Sequence, residues 1–439
     1  MKVLVITARG LQTGAVGAYG NTWLDTPALD RLAAGGVVFD WHFADRADAA
    51  GARRAWRSGR YDLPTPGGAT APTPAEVPDL VRALRARGIH TWLIVDASRP
   101  SPPEFEAGWD QVERVTATAE ETALESAVSA AEAALRRLAG RDGWLLWVDL
   151  ATPLPPWDVP EEFQAPYFEE APPDEAEEGE EDEAAEESGP DEEEEELEPI
   201  LPLPDPAEGP IDPDDDILFE RLQSSYAGAV SYLDAGVGQL LETLAQTAGA
   251  DVLVVVSADV GQALGEHGVV GPVRPWPHDE VIHLPLILRL PGAAEAGRRV
   301  AALTQAADLG PTLADAFGVP LPDAQGKSLL PLARGQAEQV RDYVCAGREV
   351  GGIVEWCLRT PDWSFLLPAV PDPGGRRGPQ LYVMPDVRWE VYNVLQHHLE
   401  RAEALEQTLR AFVAAARQPG PLVVPPLREM EEAESAAGR

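Results

Sequence analysis

Charged side chains follow two apolar runs of the chain, where they could take part in chemistry. Arg9 comes shortly after the run Val3–Thr7, and Asp259 follows the valine-rich run Asp251–Ser257. Both runs have the composition of buried strands in a parallel sheet. Ligands of such sheets gather at the carboxyl ends of the strands. Because a buried carboxylate needs a cation beside it, we expect Asp259 to have a positively charged partner.

Other familiar catalytic and metal-binding patterns are missing from the sequence. It contains no Gly-x-Gly-x-x-Gly after a strand, no Walker loop and no Gly-x-Ser-x-Gly turn. The segment His278–His283 lacks the spacing of a zinc-protease helix, and Cys345 and Cys357 lack the spacing of metal ligands. The sequence therefore gives no support to the common nucleotide-binding, serine-hydrolase and zinc-protease classes.

Apolar runs alternate with helical segments along most of the chain. Strands are predicted at Val3–Thr7, Val37–Phe39, His90–Val95, Trp144–Leu150, Asp251–Ser257 and His283–Leu290. Helices are predicted at Leu29–Ala34, Pro78–Arg87, Thr116–Leu138 and Phe219–Ala245. This alternation predicts an α/β core over residues 1–335, a mostly parallel sheet flanked by helices on both faces. Residues 336–439 are expected to form a small C-terminal α+β subdomain with a short antiparallel sheet and one packed helix.

The chain of 439 residues is strongly acidic, with a net charge of -40. This charge argues against a nucleic-acid partner, because phosphate backbones are bound by Lys and Arg. Much of it lies in Glu169–Glu198, which has 19 acidic residues and no basic residue. Such a segment buries too little apolar surface to become ordered, so 169–216 is predicted to be a disordered insertion. A solvated loop, a docking segment for a basic partner and a cation buffer all fit this composition.

No targeting or membrane segment is evident in the sequence. The opening apolar run, Val3–Ile6, is too short for a signal peptide, and no apolar stretch approaches the ~20 residues of a membrane helix. The two cysteines do not suggest a disulfide framework. We therefore expect a cytoplasmic, reduced protein without a membrane partner.

The order of several short segments resembles the sulfatase family of the alkaline phosphatase superfamily. Those segments are Gly17–Asn21, Thr26–Ala33, Trp147–Pro153, Pro160–Phe163, Tyr226–Leu241, Ser257–Gly261, Gly265–Gly268, Leu284–Ile287, Asp308–Leu313, Gly318–Pro320 and Gly326–Pro331. Each one is weakly specific, but together they follow the family's order over most of the chain. The resemblance implies the sulfatase fold and, in typical members, hydrolysis of sulfate esters with calcium or magnesium.

By this resemblance, several catalytic groups of the family have been replaced. The nucleophile, a formylglycine made from Cys or Ser, corresponds to Ala49, which has no side-chain oxygen or sulfur. Two cation-binding aspartates correspond to Arg9 and Gly10, and only Asp259 matches a metal ligand. No catalytic residue and no cofactor are therefore expected, since calcium and magnesium need several oxygen ligands. Arg9 is expected to pair with Asp259 in place of the cation, unless it points from its loop into solvent.

Four residues are candidates for contacting an anion in the family's cleft: Arg9, Arg53, His267 and Arg274. Arg53 matches the family arginine that steadies the nucleophile, and here it either contacts an anion or lies at the surface. His267 is either an anion contact or proton donor, or a structural hydrogen-bonding residue. Arg274 takes the place of a family lysine if its loop is slightly longer.

Three functions fit these observations. The first is a catalytically inactive sulfatase-like protein, a pseudoenzyme that keeps the fold and binds an anionic small molecule or a protein partner. The second is an active hydrolase of sulfate or phosphate esters with rearranged groups. The third is a scaffold whose acidic insertion or C-terminal subdomain makes the contacts. Loss of both nucleophile and metal ligands favours the first, although fold alone cannot choose among them.

Overall fold

The computed structural model describes residues 1–68, 78–168, 200–371, 378–384 and 390–428. In chain order the strands are β1 (Lys2–Arg9), β2 (Val37–Phe43), β3 (His90–Asp96), β4 (Gln111–Val115), β5 (Trp144–Pro153), β6 (Gly209–Pro210), β7 (Val252–Ala258), β8 (Val269–Val270), β9 (His283–Leu284), β10 (Leu286–Arg289), β11 (Arg298–Gln305), β12 (Val344–Val350), β13 (Ile353–Arg359), β14 (Trp363–Pro368) and β15 (Gln380–Val383).

Helices connect most of these strands. They are α1 (Pro27–Ala34), α2 (Ala49–Ser58), α3 (Leu80–Ala86), α4 (Pro103–Glu106), α5 (Ala123–Leu138), α6 (Glu161–Gln164), α7 (Asp216–Thr247), α8 (Asp279–Ile282), α9 (Leu309–Ala316), α10 (Leu330–Ala333) and α11 (Leu399–Ala416). Short 3₁₀ turns occur at Thr13–Ala15, Gly17–Tyr19, Ala165–Tyr167, Pro291–Ala293, Ala306–Asp308 and Leu395–His397.

The main sheet has the strand order β11-β2-β10-β7-β1-β5-β3-β4, with β9 pairing with β2. Strand β10 is antiparallel to both β2 and β7, whereas β4, β3, β5, β1 and β7 run parallel to one another. Strand β1 lies between β5 and β7 and is buried almost throughout. The carboxyl ends of β5, β1 and β7 therefore meet at one edge of the sheet.

Helices cover both faces of this sheet, because alternate residues of each strand face opposite ways. Leu4 and Ile6 of β1 pack in a cluster with residues of α5 and α7. Val3 and Val5 pack in a second cluster with residues of α2, α3 and α9. The predicted fold class is confirmed.

The C-terminal region also agrees with the predicted fold. Strands β12–β15 form an antiparallel sheet in chain order. The buried face of α11, including Leu405, Leu409 and Phe412, packs in one cluster with residues of that sheet such as Phe365. Arg341 lies just before β12, and its guanidinium donates hydrogen bonds to Asp308 of the core.

Some element boundaries differ from the predicted ones for local reasons. Helix α5 begins only at Ala123, because the Thr122 hydroxyl and Glu125 form a capping box that fixes its start. The predicted strand 283–290 is divided at Pro285 into β9 and β10, which both pair antiparallel with β2. No described helix is long and apolar enough to cross a membrane.

Most of the predicted disordered insertion, 169–199, lies outside the described residues. The prediction differs from the structure over 200–216, which packs against the core. The Leu203 amide donates to Ser225 Oγ at 2.8 Å, Gly209 and Pro210 pair with β8, and Asp215 caps α7. Residues 200–216 come after the acidic run, and they contain prolines and apolar side chains that the acidic run largely lacks.

Candidate functional site

Three strands and one helix bring four charged side chains together at the carboxyl edge of the main sheet. Thr7 of β1 is level with Asp149 of β5 and with Ser257 of β7. Arg9 therefore lies at the end of β1, and Asp259 follows the end of β7. Helix α2 adds Arg53 from one side of the sheet. We call Arg9, Arg53, Asp149 and Asp259 the charge cluster.

Arg53 lies at the middle of the charge cluster and binds both carboxylates. Its Nη2 lies 2.7 Å from both Asp149 oxygens, and its Nε donates to Asp149 Oδ2 at 3.1 Å. Its Nη1 donates to Asp259 Oδ2 and to the Ala49 carbonyl oxygen, each at 2.8 Å. All three charged side chains are fully buried. Arg53 is therefore an internal ion-pair partner and not the surface arginine that one interpretation of the sequence allowed.

Arg9 binds Asp149, not Asp259 as expected. Its Nη2 lies 3.2 Å from Asp149 Oδ2, and its Nη1 donates to the Pro100 carbonyl oxygen at 2.8 Å. The pairing of β1 with β5 shifts in register between Ala8 and Arg9, and the side chain is buried beside β5 rather than directed into solvent. Asp259 does have the cationic partner that its burial required, but Arg53 supplies it.

The two carboxylates differ in their electrostatic surroundings. Burial raises the pKa of Asp149, but Arg53 and Arg9 outweigh this effect, so its pKa lies below the usual value. Burial dominates at Asp259, whose pKa is raised despite Arg53. Asp259 Oδ1 has no hydrogen-bond partner among the described residues, which agrees with its weaker stabilisation. Burial lowers the pKa of Arg53, but the carboxylates of Asp149 and Asp259 outweigh this effect and raise it, so Arg53 remains charged.

The charge cluster is poorly suited to a divalent cation. Calcium and magnesium take about six or more oxygen ligands, mostly from carboxylates, carbonyls and water. Here two carboxylates are already bound by guanidinium groups, and a cation would be repelled by Arg9 and Arg53. Among the described residues, no group of three or more His, Cys, Asp or Glu side chains is arranged to hold a metal ion.

Ala49 lies where helix α2 begins, directly beside the charge cluster. Asp48 caps the helix by accepting a hydrogen bond from the Gly51 amide, and the Ala49 carbonyl oxygen accepts one from Arg53. The methyl side chain of Ala49 offers no atom for nucleophilic attack.

His267 and Arg274 make their contacts outside the charge cluster. His267 Nδ1 lies 2.9 Å from Glu280 Oε1, and its ring stacks on His278 with centroids 3.8 Å apart. The guanidinium of Arg274 is exposed over the Trp276 ring, 4.6 Å from its centroid. Of the four anion candidates, the structure therefore brings together Arg9 and Arg53.

The contact between His267 and Glu280 leads to a testable pH dependence. Burial lowers the pKa of His267, but the hydrogen-bonded Glu280 carboxylate raises it, and the net direction is upward. The contact thus stabilises the fold below the ordinary histidine pKa of about 6.5, and this contribution is lost as the pH rises through the raised value. We expect Glu280→Gln to lower the pKa of His267 in an NMR titration.

A matched control for that titration is Glu295→Gln, which alters a surface carboxylate paired with Arg298. It should leave the His267 titration unchanged. An unchanged His267 pKa in Glu280→Gln would contradict the assignment of Glu280 as the raising group.

Sequence analysis missed the central role of Asp149. Asp149 lies within the segment Trp147–Pro153 that resembles the family, but the sequence predicted no partner for it. The available signal was a single aspartate inside the otherwise apolar strand Trp144–Leu150, all of which is buried. A buried acid in such a strand needs hydrogen bonds, and Asp149 also accepts one from the Thr7 hydroxyl at 2.9 Å.

Comparison with known proteins agrees with this architecture. The family model described as Sulfatase matches residues 2–319. The chain therefore belongs to the sulfatase family, as its segments indicated.

Two curated relatives are similar over parts of their sequences. The chain is 32% identical over 127 residues to N-acetylglucosamine-6-O-sulfatase from Bacteroides thetaiotaomicron, which is 28% of this chain and 22% of the relative. It is 30% identical over 199 residues to choline-sulfatase from Rhizobium meliloti, which is 44% of this chain and 36% of the relative. The matched stretches thus span well under half of either relative.

Solved structures are similar over nearly the whole chain. The phosphonate monoester hydrolase of Agrobacterium radiobacter superposes with a TM-score of 0.69 at 20% identity, covering 95% of each chain. The phosphonate monoester hydrolase from Silicibacter pomeroyi gives a TM-score of 0.68 at 19% identity, covering 94% of each chain. At these identities the likeness establishes the fold alone.

Proposed function

We propose that this protein is a non-catalytic member of the sulfatase family that works by binding an anionic small molecule or a protein partner. The observation that carries the proposal is the placement of Arg53, whose guanidinium binds Asp149 and Asp259 at once. The charges at this edge of the sheet are neutralised by one another, so they are not available to activate water or polarise an ester.

The neighbouring residues support the same proposal. Ala49 brings no nucleophile to the start of α2. Arg9 and Arg53 are buried and engaged, so neither side chain is exposed to receive a sulfate group from solvent. An active hydrolase would need a nucleophile and a cation site that these residues do not supply.

The test is an assay of the purified chain against aryl sulfate, aryl phosphate and aryl phosphonate monoesters, with and without calcium, magnesium or manganese. We expect no turnover above the buffer rate, because the usual ~10⁶-fold or greater acceleration needs the missing groups. An active sulfatase assayed in parallel shows that the substrates are sound.

One result would overturn the proposal. It is metal-dependent turnover that survives repurification and is abolished by Asp259→Ala. Folding of that variant should be checked by circular dichroism, so that loss of structure is not mistaken for loss of catalysis.

Thermal unfolding gives a second test, which does not require a substrate. A cation bound tightly to the native state would raise the melting temperature in proportion to its binding free energy. We expect millimolar calcium or magnesium to act no more strongly than sodium chloride of equal ionic strength. A specific rise that chelation reverses would point instead to a retained metal site.

A further inference from the structure

A second candidate site lies along the C-terminal half of α2 and shares only Arg53 with the charge cluster. It is an open cleft of about 1240 Å³ between α2, α3, α4 and the end of α11. Arg53 of the charge cluster also lines the cleft, and the other lining residues of α2, Arg54, Arg57 and Ser58, lie on the C-terminal half of the helix.

The cleft is basic although the chain is acidic. Six arginines line it in addition to buried Arg53, against three carboxylates, among the described residues. The whole chain carries 34 Lys and Arg against 74 Asp and Glu. A local surplus of positive charge in such a protein marks a place where anions are attracted. The six arginines are Arg54, Arg57, Arg60, Arg82, Arg85 and Arg417.

Backbone carbonyl groups hold several of these arginines in place. Arg57 Nη1 donates to the carbonyl oxygens of residues 104, 105 and 107, and its Nη2 binds Asp79. Arg60 donates to the carbonyl oxygens of residues 323, 418 and 420. Carbonyl groups orient a guanidinium without cancelling its charge. Three of the arginines also pair with carboxylates: Arg54 with Asp62 and Glu104, Arg57 with Asp79, and Arg85 with Asp110. The arginines are thus fixed in advance, which lowers the entropy cost of binding a ligand.

The shape of the cleft selects among anions. Tyr61, Leu63, Pro103 and Phe105 form apolar walls between the arginines. The volume is at or above the upper end of the usual range for small-molecule sites. A long nucleic acid or polysaccharide would extend beyond the cleft onto a chain of net charge -40 and be repelled. The best fit is a compact molecule that places several charged groups within the cleft.

We propose that this cleft binds a compact anion carrying several phosphate or sulfate groups. Guanidinium groups suit both, because their paired N–H donors match the oxygens of phosphate and sulfate. Arg53 is the one residue of the charge cluster that lines the cleft, and the proposed binding uses the other arginines, so the inference is independent of whether the protein turns over esters.

Isothermal titration calorimetry tests the proposal with two probes, myo-inositol hexakisphosphate and sucrose octasulfate. We expect at least one to bind, with an affinity that falls steeply as salt is raised. Orthophosphate and inorganic sulfate, each a single charged group, should bind far more weakly. Comparison of the two larger probes distinguishes phosphate from sulfate as the preferred group.

Variants locate the binding. Arg82→Ala and Arg417→Ala change exposed arginines of the cleft, and each should weaken binding roughly tenfold, the usual loss for one hydrogen-bonded charge. Arg87→Ala is the matched control, since Arg87 follows the same helix as Arg82 but does not line the cleft. Absence of binding by both probes would overturn the proposal. Equal losses in the control and the cleft variants would also overturn it.

Discussion

Replacement of Arg53 by alanine should lower the free energy of unfolding by about 3–5 kcal/mol, the usual cost of breaking a buried ion pair by removing one partner. The variant removes four hydrogen bonds to Asp149 and Asp259 and the one to the Ala49 carbonyl oxygen. Both carboxylates remain in a part of the core from which solvent is excluded. Urea unfolding followed by tryptophan fluorescence and circular dichroism measures the loss.

The pH dependence of this loss gives an independent check. In the native protein the pKa of Asp149 is lowered, so its stabilising contribution exists above the unfolded pKa and disappears as the pH falls through the folded value. The raised pKa of Asp259 acts in the opposite direction. Without Arg53 the pKa values of both carboxyls should rise, so each folds more favourably when protonated. The deficit of Arg53→Ala should therefore be smaller at pH 5 than at pH 8.

Arg54→Ala is the control on the same helix. Arg54 is partly exposed and pairs with Asp62 at 2.7 Å, a surface contact worth about 0–1 kcal/mol. If Arg53→Ala costs no more than Arg54→Ala, the charge cluster does not stabilise the fold.

A loss of similar size, about 3–5 kcal/mol, is expected for Arg341→Ala. Arg341 donates to both oxygens of Asp308 at 2.5 Å, and both side chains are almost fully buried. Without Arg341, Asp308 would remain beside Asp45, whose pKa is raised well above its ordinary value by burial and by Asp308 itself. The same denaturant experiment measures the effect.

Two further variants separate the charge effect from a loss of packing. Arg334→Ala removes an exposed arginine nearby and should be within about 0.5 kcal/mol of the parent. The double variant Arg341→Met with Asp308→Asn removes both charges and should recover part of the loss, because contacting residues are not additive. Strictly additive losses would show that the ion pair is not the source of the stability.

The sequence allowed the fold to be predicted where a strand is apolar on both faces, as in β1 and β7. Strand β4 was missed because Gln111–Val115 is an edge strand with polar, largely exposed side chains that give no apolar run. The assignment of Arg9, Ala49 and Asp259 to family positions comes from local motifs and stays a prediction. Which arginine binds which aspartate could not be predicted from the sequence, because it depends on a register shift after Ala8 and on how α2 packs against the sheet.

Because Arg53 is part of the chain, the positive charge at the carboxyl edge of the sheet differs from that of a bound metal ion, which exchanges with solution. A positive charge attached to the chain has an effective concentration set by the fold rather than by the solution. Its entropy cost is met once, when the protein folds, and it cannot dissociate on dilution. Chelators cannot remove it. The contacts of Asp149 and Asp259 with Arg53 therefore persist at any level of free calcium or magnesium, for as long as helix α2 stays packed against the sheet.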